Sequence, residues 1–342
     1  MTIHKPVKAT IMQDIAREAN LTKSSVSMIL SGKGKFREQT VRRVQRIAKQ
    51  LRYVPHAGAR SLTQGGSNLI GLLVPNIGEG FTVEIMRGIE ERLTDLGYDL
   101  VLYNTIGKED RQEELYHRIA SGRKVDGIVV QMFNTSEKQI EEYATHYLPC
   151  VVLETETKKL DSVFIDNYDG AFRATKYLIK QGRTRILFVY GSLPSSVMLE
   201  RLRGHIDALK AARIKPLPEL QLAMHYGTKE IRLQNIRVMQ AYDLTRPLPF
   251  DAIFSAAGDE VAVGMLRDLT EHRYRIPQDV AIIGFDDLPI AGLSVPSLTT
   301  VRQPIQEMGA TAIDFLISRI KTPGRKPRCK KLKTELVLRG SA

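Results

Sequence analysis

Apolar residues in the segment 10–30 recur with the spacing of two short helices joined by a tight turn. The repeating positions are Ile11, Ile15, Ala16, Ala19, Leu21, Val26, Ile29 and Leu30. A third amphipathic stretch, from Val41 to Leu51, supplies the face that closes such a pair into a small three-helix core. The segment therefore predicts a helix-turn-helix, a unit that places its second helix in the major groove of DNA.

Both short helices carry residues suited to cap their first turns. Thr10 and Gln13 have the spacing of a capping box, in which the two residues satisfy each other's backbone N–H groups. Thr22 is expected to cap the second helix, whose exposed start contains Lys23 and three serines. The two helices should therefore begin just after Thr10 and Thr22.

Positive charge is concentrated at the two ends of the chain. Residues 1–65 contain 13 Lys and Arg against 3 Asp and Glu, and residues 319–342 contain 9 against 1. The intervening residues 66–318 carry 28 basic and 34 acidic groups, so the net charge of +12 resides in the ends. A compact basic unit suits double-stranded DNA, because each neutralised phosphate releases counterions. A merely solvated charged face is the alternative, but it does not explain why the charge coincides with the helix-turn-helix pattern.

Beyond residue 66 short β-branched runs alternate with amphipathic stretches, which predict helices between strands. The predicted strands are 69–74, 98–103, 127–131, 150–153, 186–190, 252–255 and 280–285. Continuous apolar strands separated by helices indicate parallel sheets covered on both faces. The alternation dips near 155–165 and an extended segment covers 296–301, which indicates two similar lobes that exchange strands. Ligands of such sheets bind beyond the carboxyl ends of the strands, here in the cleft between the lobes.

Several classes of protein are disfavoured by what the sequence lacks. No apolar run approaches the roughly 18 residues that a membrane span needs. The start of the chain lacks the apolar core of a signal peptide. We therefore expect a cytoplasmic protein with no membrane partner. Cys150 and Cys329 fit neither a disulfide framework nor a metal site and are expected to be reduced thiols. Phosphate-loop, nucleophile-elbow and metal-binding histidine motifs are absent. We therefore predict no cofactor, no metal and no catalytic reaction.

Five motifs follow one another in order along the chain. The first is I-A-x-x-A-x-L-T-x-S-S-V-S in the helix-turn-helix, and the second is Y-V-P-H-A-G-A-R-S-L at 53–62. The others are L-I-G-L-L-V-P at 69–75, I-G-F-D-D at 283–287 and P-S-L-T-T-V-R-Q-P at 296–304. Together they resemble the lactose-repressor (LacI/GalR) family of transcriptional regulators over essentially the whole chain.

This resemblance implies an all-α helix-turn-helix headpiece at 1–55, a hinge at 56–66 and an α/β core at 67–342. The core would have the two-lobed fold of periplasmic binding proteins, with parallel sheets flanked by helices, and would bind an effector and dimerise. The implied protein is a bacterial regulator, bound to the nucleoid when it occupies DNA. A homodimer would read a pseudo-palindromic operator, because the two-fold symmetry of the protein is mirrored in the half-sites.

The resemblance also implies that residues 56–64 form a hinge helix only on DNA. Ala59, Arg60 and Leu62 would then lie at the minor groove, with Leu62 wedged into the operator centre to bend the duplex. A plain interdomain linker is the other interpretation, and Gly58 would suit it. An exposed Leu62 in so polar a segment has no other evident use.

The second helix departs from its relatives at one position. Many family members carry an arginine where this chain has Met28, so bidentate contact with a guanine edge is lost and contact with a thymine methyl becomes available. Lys23 and Ser24 are then the strongest candidates for base contacts. The other expected DNA-binding residues are Thr22, Ser25, Ser27, Lys33 and Lys35, which suit the helix start or phosphates. Solvated surface charges are the alternative interpretation of the lysines.

For the cleft, the resemblance implies a small polar effector, most simply a sugar or sugar derivative. Arg201 matches the arginine that binds effector hydroxyls or a carboxylate, and Asp286 matches the acid that accepts hydrogen bonds from the ligand. Phe81, Glu154 and Asp166 match positions that commonly face the cleft. These five residues are the predicted effector site.

The residues leave several alternatives. Arg201 could instead pair with Glu200, and Asp286 could fix the crossover between lobes. Gly258 stands where sugar-responsive relatives often carry a polar side chain, so a phosphorylated sugar or another polar metabolite is an alternative effector. Whether the effector releases or promotes DNA binding is not encoded in these residues. A transport-type sugar-binding protein would share the core, but it would need a secretion signal and no basic headpiece. The basic run Arg325–Lys331 is expected to be a solvated loop.

Overall fold

The computed structural model describes residues 10–53, 66–122, 124–131, 137–145, 148–191, 195–224, 242 and 247–342. The chain divides between Ser67 and Asn68 into two compact units, and each is described by itself. The amphipathic pattern of the sequence also predicts a helix at 229–242, which lies outside the described residues except for Tyr242. The predicted hinge helix, including Ala59, Arg60 and Leu62, lies outside them as well.

The first unit is the predicted three-helix cluster. Its helices are α1 (Met12–Ala19), α2 (Lys23–Leu30) and α3 (Glu38–Gln50). Ile15, Val26 and Val44, one from each helix, are fully buried where the helices meet. Asn20 ends α1 with a left-handed φ of 50°, a conformation that asparagine tolerates well, and the chain turns directly into α2.

One of the two predicted caps is confirmed and the other is wrong. Thr22 Oγ1 accepts a hydrogen bond from the backbone N–H of Ser25 at 3.1 Å. At the start of α1 the N-cap is Ile11, whose own N–H donates to the Asp14 carboxylate at 3.0 Å. Thr10 lies one residue too early to cap the helix, and its hydroxyl instead donates to the carbonyl of Leu51 at 2.8 Å. The start of α1 is therefore tied to the end of α3.

The second unit contains two six-stranded sheets, each with its own helices. The first sheet has the order β11-β5-β4-β3-β1-β2, and all its pairings are parallel. Its strands are β1 (Leu69–Val74), β2 (Asp99–Asn104), β3 (Gly127–Gln131), β4 (Cys150–Leu153), β5 (Asp161–Ile165) and β11 (Cys329–Leu332). The helices packed on it are α4 (Gly80–Leu96), α5 (Glu109–Gly122), α6 (Glu137–Thr145) and α11 (Ile305–Lys321). We call this sheet and its helices the first lobe.

The second sheet has the order β12-β10-β9-β8-β6-β7, and only β12 runs antiparallel to its neighbour. Its strands are β6 (Ile186–Gly191), β7 (Gln221–Met224), β8 (Ala252–Ser255), β9 (Ala281–Asp286), β10 (Thr299–Arg302) and β12 (Glu335–Val337). The helices beside it are α7 (Asn167–Lys180), α8 (Ser196–Ala211), α9 (Asp259–Glu271) and α10 (Pro289–Leu293), and a 3-10 turn covers Pro218–Leu220. We call this sheet and its helices the second lobe.

The predicted exchange of strands between two lobes is confirmed. The chain passes from one lobe to the other at 165–167, at 302–305 and at 332–335. Strands β3, β4, β8 and β9 are buried along their whole length, as expected of parallel strands covered by helices on both faces. Within the described residues, no helix combines the length and apolar character needed to cross a bilayer.

The expectation of a solvated loop at Arg325–Lys331 is wrong for its last residues. Cys329–Leu332 forms β11, an edge strand that pairs in parallel with β5. The basic side chains obscured this strand, because an edge strand keeps much of its surface in water and tolerates lysines. Cys150 is buried, Cys329 is exposed, and both are free thiols as expected.

Candidate functional site

The start of α2 presents the predicted DNA-binding residues of the first unit to solvent. Thr22, Lys23, Ser24 and Met28 are exposed, and the last of these has 41% of its surface accessible. The first turn of α2 contains no acidic residue. Its backbone N–H groups and positive helix dipole therefore favour an anion such as a phosphate.

The remaining headpiece candidates differ in exposure. Lys33 and Lys35 are exposed in the segment that follows α2. Ser25 and Ser27 are half-buried, and the Ser25 hydroxyl lies 2.9 Å from the Thr22 hydroxyl. Ser25 therefore contributes to the cap of α2 and is less available to DNA than Ser24.

A cavity of about 50 Å³ lies where strands of the two lobes end. Four of the five predicted effector residues line it: Phe81 and Glu154 come from the first lobe, and Arg201 and Asp286 come from the second. The parallel strands β1, β4, β8 and β9 all point their carboxyl ends toward this cavity, which is where open α/β sheets bind ligands.

Asp166 lies apart from this cavity. Its carboxylate caps α7 by accepting a hydrogen bond from the N–H of Asp169 at 3.0 Å, and it pairs with Lys331 Nζ at 3.0 Å. These contacts lower the pKa of Asp166 against the opposing effect of its partial burial. The structure therefore gives Asp166 a capping position and does not bring it together with the other four residues.

Arg201 is held rigidly inside the cleft. The side chain is only 4% exposed, and its guanidinium donates to Asn167 Oδ1 and to the carbonyl of Ala256, both at 2.8 Å. The guanidinium carbon also lies 3.6 Å from the centre of the Phe285 ring, a cation–π contact. The alternative pairing with Glu200 does not occur, because that carboxylate pairs with Arg203 at 2.7 Å.

Asp286 ends β9 in a strained backbone conformation. Its φ is 114°, a value that L side chains rarely adopt and that tends to persist at functional sites. Gln303 Nε2, from the crossover at 302–305, donates to its carboxylate, which is the contact with the crossover that the sequence offered as an alternative. Burial raises the pKa of Asp286 to about 6, while Arg201 and the Gln303 hydrogen bond oppose the rise.

Asp287, although adjacent to Asp286, has different surroundings. Its carboxylate pairs with Arg302 and Arg339, each at 2.6 Å. The two neighbouring carboxyls therefore make different contacts, Asp287 with two arginines and Asp286 with Gln303.

Glu154 lies just after β4 with a left-handed φ of 63°. Burial raises the pKa of Glu154 to about 8, while the charge of Arg201 opposes the rise and the charges of Asp286 and Glu79 add to it. A hydrogen bond with the buried side-chain amide of Gln131 also opposes the rise.

Three acids of the cavity were not predicted from the sequence. Glu79 is the N-cap residue of α4, and Asp259 and Glu260 begin α9. Burial raises the pKa of Glu79 to about 7, and the nearby charge of Glu260 adds to the rise. A signal that could have found them was their position within five residues after the predicted strands 69–74 and 252–255, because ligands of α/β sheets bind beyond the carboxyl ends of the strands.

The raised pKa values predict how stability depends on pH. Glu154 binds a proton more tightly in the folded chain than in the unfolded chain, so its contribution to stability is present below pH 4.5 and is lost as the pH rises to about 8. We expect the unfolding free energy of the ligand-free parent to fall over this window relative to Glu154→Gln, which cannot ionise. Urea denaturation of both proteins across the window measures the difference. A constant difference would contradict the buried, proton-binding state of Glu154.

The sequence matches two known protein families and is similar to known repressors. Residues 11–56 match the family model of bacterial regulatory proteins of the lacI family, and residues 175–342 match that of the periplasmic binding protein-like domain. The ribose operon repressor of Escherichia coli (strain K12) is 33% identical over 336 residues, which cover 97% of this chain and 99% of the relative.

Two solved structures are also similar. A LacI family transcriptional regulator from Enterococcus faecium, solved with bound ribose, is 27% identical, covers 80% of this chain and 98% of its own, and has a TM-score of 0.67. The lac repressor dimer bound to operator is 22% identical with a TM-score of 0.82, covers 98% of this chain and 99% of its own, and shows the same fold.

The match of a helix-turn-helix model disfavours a transport-type binding protein without DNA function. The predicted fold, an α/β two-lobed core with an N-terminal all-α headpiece, is confirmed. Similarity at this level over nearly the whole of both chains shows the family. The chain belongs to the lacI family of bacterial regulatory proteins.

Proposed function

We propose that this regulator represses transcription by binding a two-fold symmetric operator as a homodimer, and that a small polyhydroxylated ligand in the cleft controls its operator affinity. One observation carries the ligand part: Arg201 and Asp286 are buried side chains that line a single cavity at strand ends. A guanidinium donates hydrogen bonds and a carboxylate accepts them. Together they can bind neighbouring hydroxyls of one ligand in a fixed orientation.

Two similar proteins support a sugar-like ligand. A ribose operon repressor is similar over nearly the whole chain, and a similar regulator binds ribose in its solved structure. We infer that the ligand of this chain belongs to the same broad class, a sugar or a sugar derivative. Because its target is chromosomal DNA, we place the protein in the cytoplasm, at the nucleoid while it is bound.

We assign the cleft a binding role and no catalytic reaction. Arg201 is fixed by Asn167 and by the carbonyl of Ala256, and Asp286 is engaged by Gln303. Groups held in this way can orient a ligand, whereas a general acid or base needs a proton that it can exchange with the reacting atoms.

The DNA part of the proposal depends on the exposed start of α2. We expect Lys23→Ala to weaken binding to the specific site by about 1–3 kcal/mol if Lys23 contacts a base. Lys49→Ala, which removes an exposed lysine near the end of α3, is the matched control and should change affinity little. Fluorescence anisotropy on a site selected from randomised DNA measures both variants.

The salt dependence of the same titrations separates the two roles of Lys23. A base contact relaxes specificity at one position, whereas a phosphate contact weakens binding to all sequences and lowers the salt slope by about 1. Parental affinity and parental salt slope in Lys23→Ala would remove α2 from the proposed interface. Ala59, Arg60 and Leu62 remain proposed minor-groove residues on the sequence resemblance alone.

The dimer proposal is supported by an exposed apolar surface on the second lobe. Ile290, Leu293 and Val295 are 39%, 80% and 84% exposed, an unusual concentration of apolar surface around α10. We propose that it contacts a second copy of the chain, as the lac repressor is a dimer in its operator complex.

Leu293→Asp should give monomers in sedimentation experiments, because it places a charge in the proposed interface. Ile106→Asp, at a 61% exposed position after β2, should leave the dimer intact. Dimers of Leu293→Asp at parental concentrations would place the interface elsewhere.

A further inference from the structure

Residues 315–334 carry positive charge that the proposed function does not use. They contain eight Lys and Arg and no Asp or Glu, and they run from the second half of α11 into the edge strand β11. We call the connection at 321–328 the basic turn. A charged run is ordinarily a solvated surface, so its contacts within the protein decide whether it needs another explanation.

Half of these basic side chains pair with carboxylates of the core. They are Arg319, Arg328, Lys330 and Lys331. The fully buried Asp161 contacts both arginines of this set and also accepts from the backbone N–H of Arg328 at 2.6 Å. These four charges therefore hold β11 and the end of the basic turn against the first lobe.

The other charges of the basic turn have no acidic partner. Lys321, Arg325 and Lys326 are exposed, and no ion pair joins them to a carboxylate in the described part of the chain. The dipole of α11 favours Lys321 in its last turn, but Arg325 and Lys326 lie beyond the helix. Three like charges within six residues repel one another, so this surface favours an anionic partner.

The basic turn is held in one conformation by its own hydrogen bonds. Arg319 Nη1 donates to the carbonyl of Arg325 at 3.0 Å, and the backbone N–H of Arg325 donates to the carbonyl of Thr322 at 3.3 Å. The Arg325 guanidinium also donates to the hydroxyl of Ser318. Charges on an ordered turn lose less conformational entropy on binding than charges on a flexible tail.

The basic turn lies at the end of the first lobe that is remote from the cleft. All strands of this sheet are parallel, and the first residues of β1, β3, β4, β5 and β11 line up across it. The cavity lies at the carboxyl ends of the strands, so their starts face away from it. β1 begins at Leu69, directly after the chain enters the second unit at Asn68. The chain from the headpiece therefore joins the same end of the lobe as the basic turn.

The distances suit a DNA duplex. β11 and β1 are four strand spacings apart, or about 19 Å, close to the length of six base pairs. The chain from Tyr53 to Asn68 spans at most about 50 Å even when fully extended, which is about 15 base pairs. DNA that continues beyond an operator is thus long enough to reach the basic turn.

We propose that the basic turn binds phosphates of the DNA beside the operator through Lys321, Arg325 and Lys326. The contact adds affinity that does not depend on sequence, because neutralised phosphates release counterions and no base edge is read. This surface goes beyond the headpiece contacts of the proposed function. Its partner is the same nucleic acid, bound by a different unit of the chain.

The test compares two duplexes that contain the same selected site. One ends shortly after the site, and the other continues for about 20 further base pairs on each side. Fluorescence anisotropy of the full chain on both duplexes, over a series of salt concentrations, gives the affinities and the salt slopes. The parent should bind the long duplex more tightly and with a slope that is steeper by about 1 for each added phosphate contact.

Lys321→Gln combined with Lys326→Gln removes two charges from the basic turn and leaves Arg325 on Ser318. At about 50 mM salt this double variant should bind the long duplex about tenfold or more weakly than the parent. The difference should shrink as salt is added, and the affinity for the short duplex should stay close to parental.

The matched control combines Lys180→Gln with Lys215→Gln. Lys180 lies in the last turn of α7, as Lys321 does in α11, and Lys215 is exposed like Lys326. Both control residues precede strands of the second lobe, at its end remote from the cleft. The control removes the same net charge and should keep the parental preference for the long duplex. Circular dichroism confirms that both double variants are folded.

Three results would overturn the proposal. They are a parent that binds both duplexes equally, equal losses in the two double variants, and a parental preference for the long duplex in the Lys321 and Lys326 variant. The last result would leave an acidic protein as the partner to seek. In all three cases specific binding to the short duplex would preserve the proposed function, whereas failure of the parent to bind any selected site would contradict that function itself.

Discussion

Replacing Arg201 with alanine is expected to reduce the unfolding free energy by about 2–5 kcal/mol at neutral pH, since it leaves the buried oxygens of Asn167 and Ala256 without their donor and removes the cation from a buried set of ionisable groups. The arginine is 4% exposed and is the counter-charge whose proximity opposes the raised pKa values of Glu154 and Asp286. Without it, those carboxyls must stay protonated or remain buried and unpaired. Urea denaturation measures the loss.

A second arginine on the same helix gives the matched control. Arg203 has 59% of its side chain exposed and pairs with Glu200, so Arg203→Ala should cost at most about 1 kcal/mol. Arg201→Lys keeps the charge but not the planar fork that reaches Asn167 and Ala256, and it should lose ligand binding while retaining part of the stability. Equal stability losses in Arg201→Ala and Arg203→Ala would show that the buried charge set is not as described.

The second large effect is expected at Asp161, which does not line the cavity. Its carboxylate is fully buried, binds Arg319 Nε at 2.7 Å and accepts from the backbone N–H of Arg328 at 2.6 Å. Asp161→Ala would leave Arg319 without its carboxylate partner and free the start of β11, so we expect a loss of about 3–5 kcal/mol.

The matched control for Asp161 is Asp314, which pairs with Arg92 at 2.7 Å on the surface. Both acids contact an arginine at the same distance, but half of the Asp314 side chain is exposed. Asp314→Ala should therefore change the unfolding free energy by only a small fraction of the loss at Asp161. Similar urea midpoints for the two variants would contradict the role assigned to the buried pair.

Asp161 also shows why the sequence predicted β4 but not β5. A run such as Cys150–Leu153 is apolar throughout, and its burial follows from composition alone. In β5 the first two residues, Asp161 and Ser162, are polar yet fully buried. The partners of Asp161 come from α11 and from the segment before β11, and the Ser162 hydroxyl donates to the carbonyl of Thr157 and to Cys329 Sγ in β11. Pairings between residues separated by more than 150 positions leave no local periodic signal.

The candidate site was predictable to the extent that motifs carried it. Arg201 and Asp286 belong to recognisable segments, and both lie in the cavity. Glu79 and Glu260 have no motif of their own, and only the fold brings the start of α4 beside the start of α9. For Asp166 a strand-end position suggested a ligand contact, and the structure places its carboxylate at the start of α7 as a helix cap.

In the proposed regulator, occupation of the cleft changes the affinity for DNA. The most direct test is the operator dissociation constant of the full chain, measured by fluorescence anisotropy with and without a saturating concentration of the sugar that binds the chain most tightly in calorimetry of a panel that includes ribose. We expect the constant to change by about 5–150-fold, the range typical of allosteric coupling, and to change by the same factor in the reciprocal experiment of ligand binding to the operator complex. Identical operator affinity with the cleft empty and saturated would contradict the account.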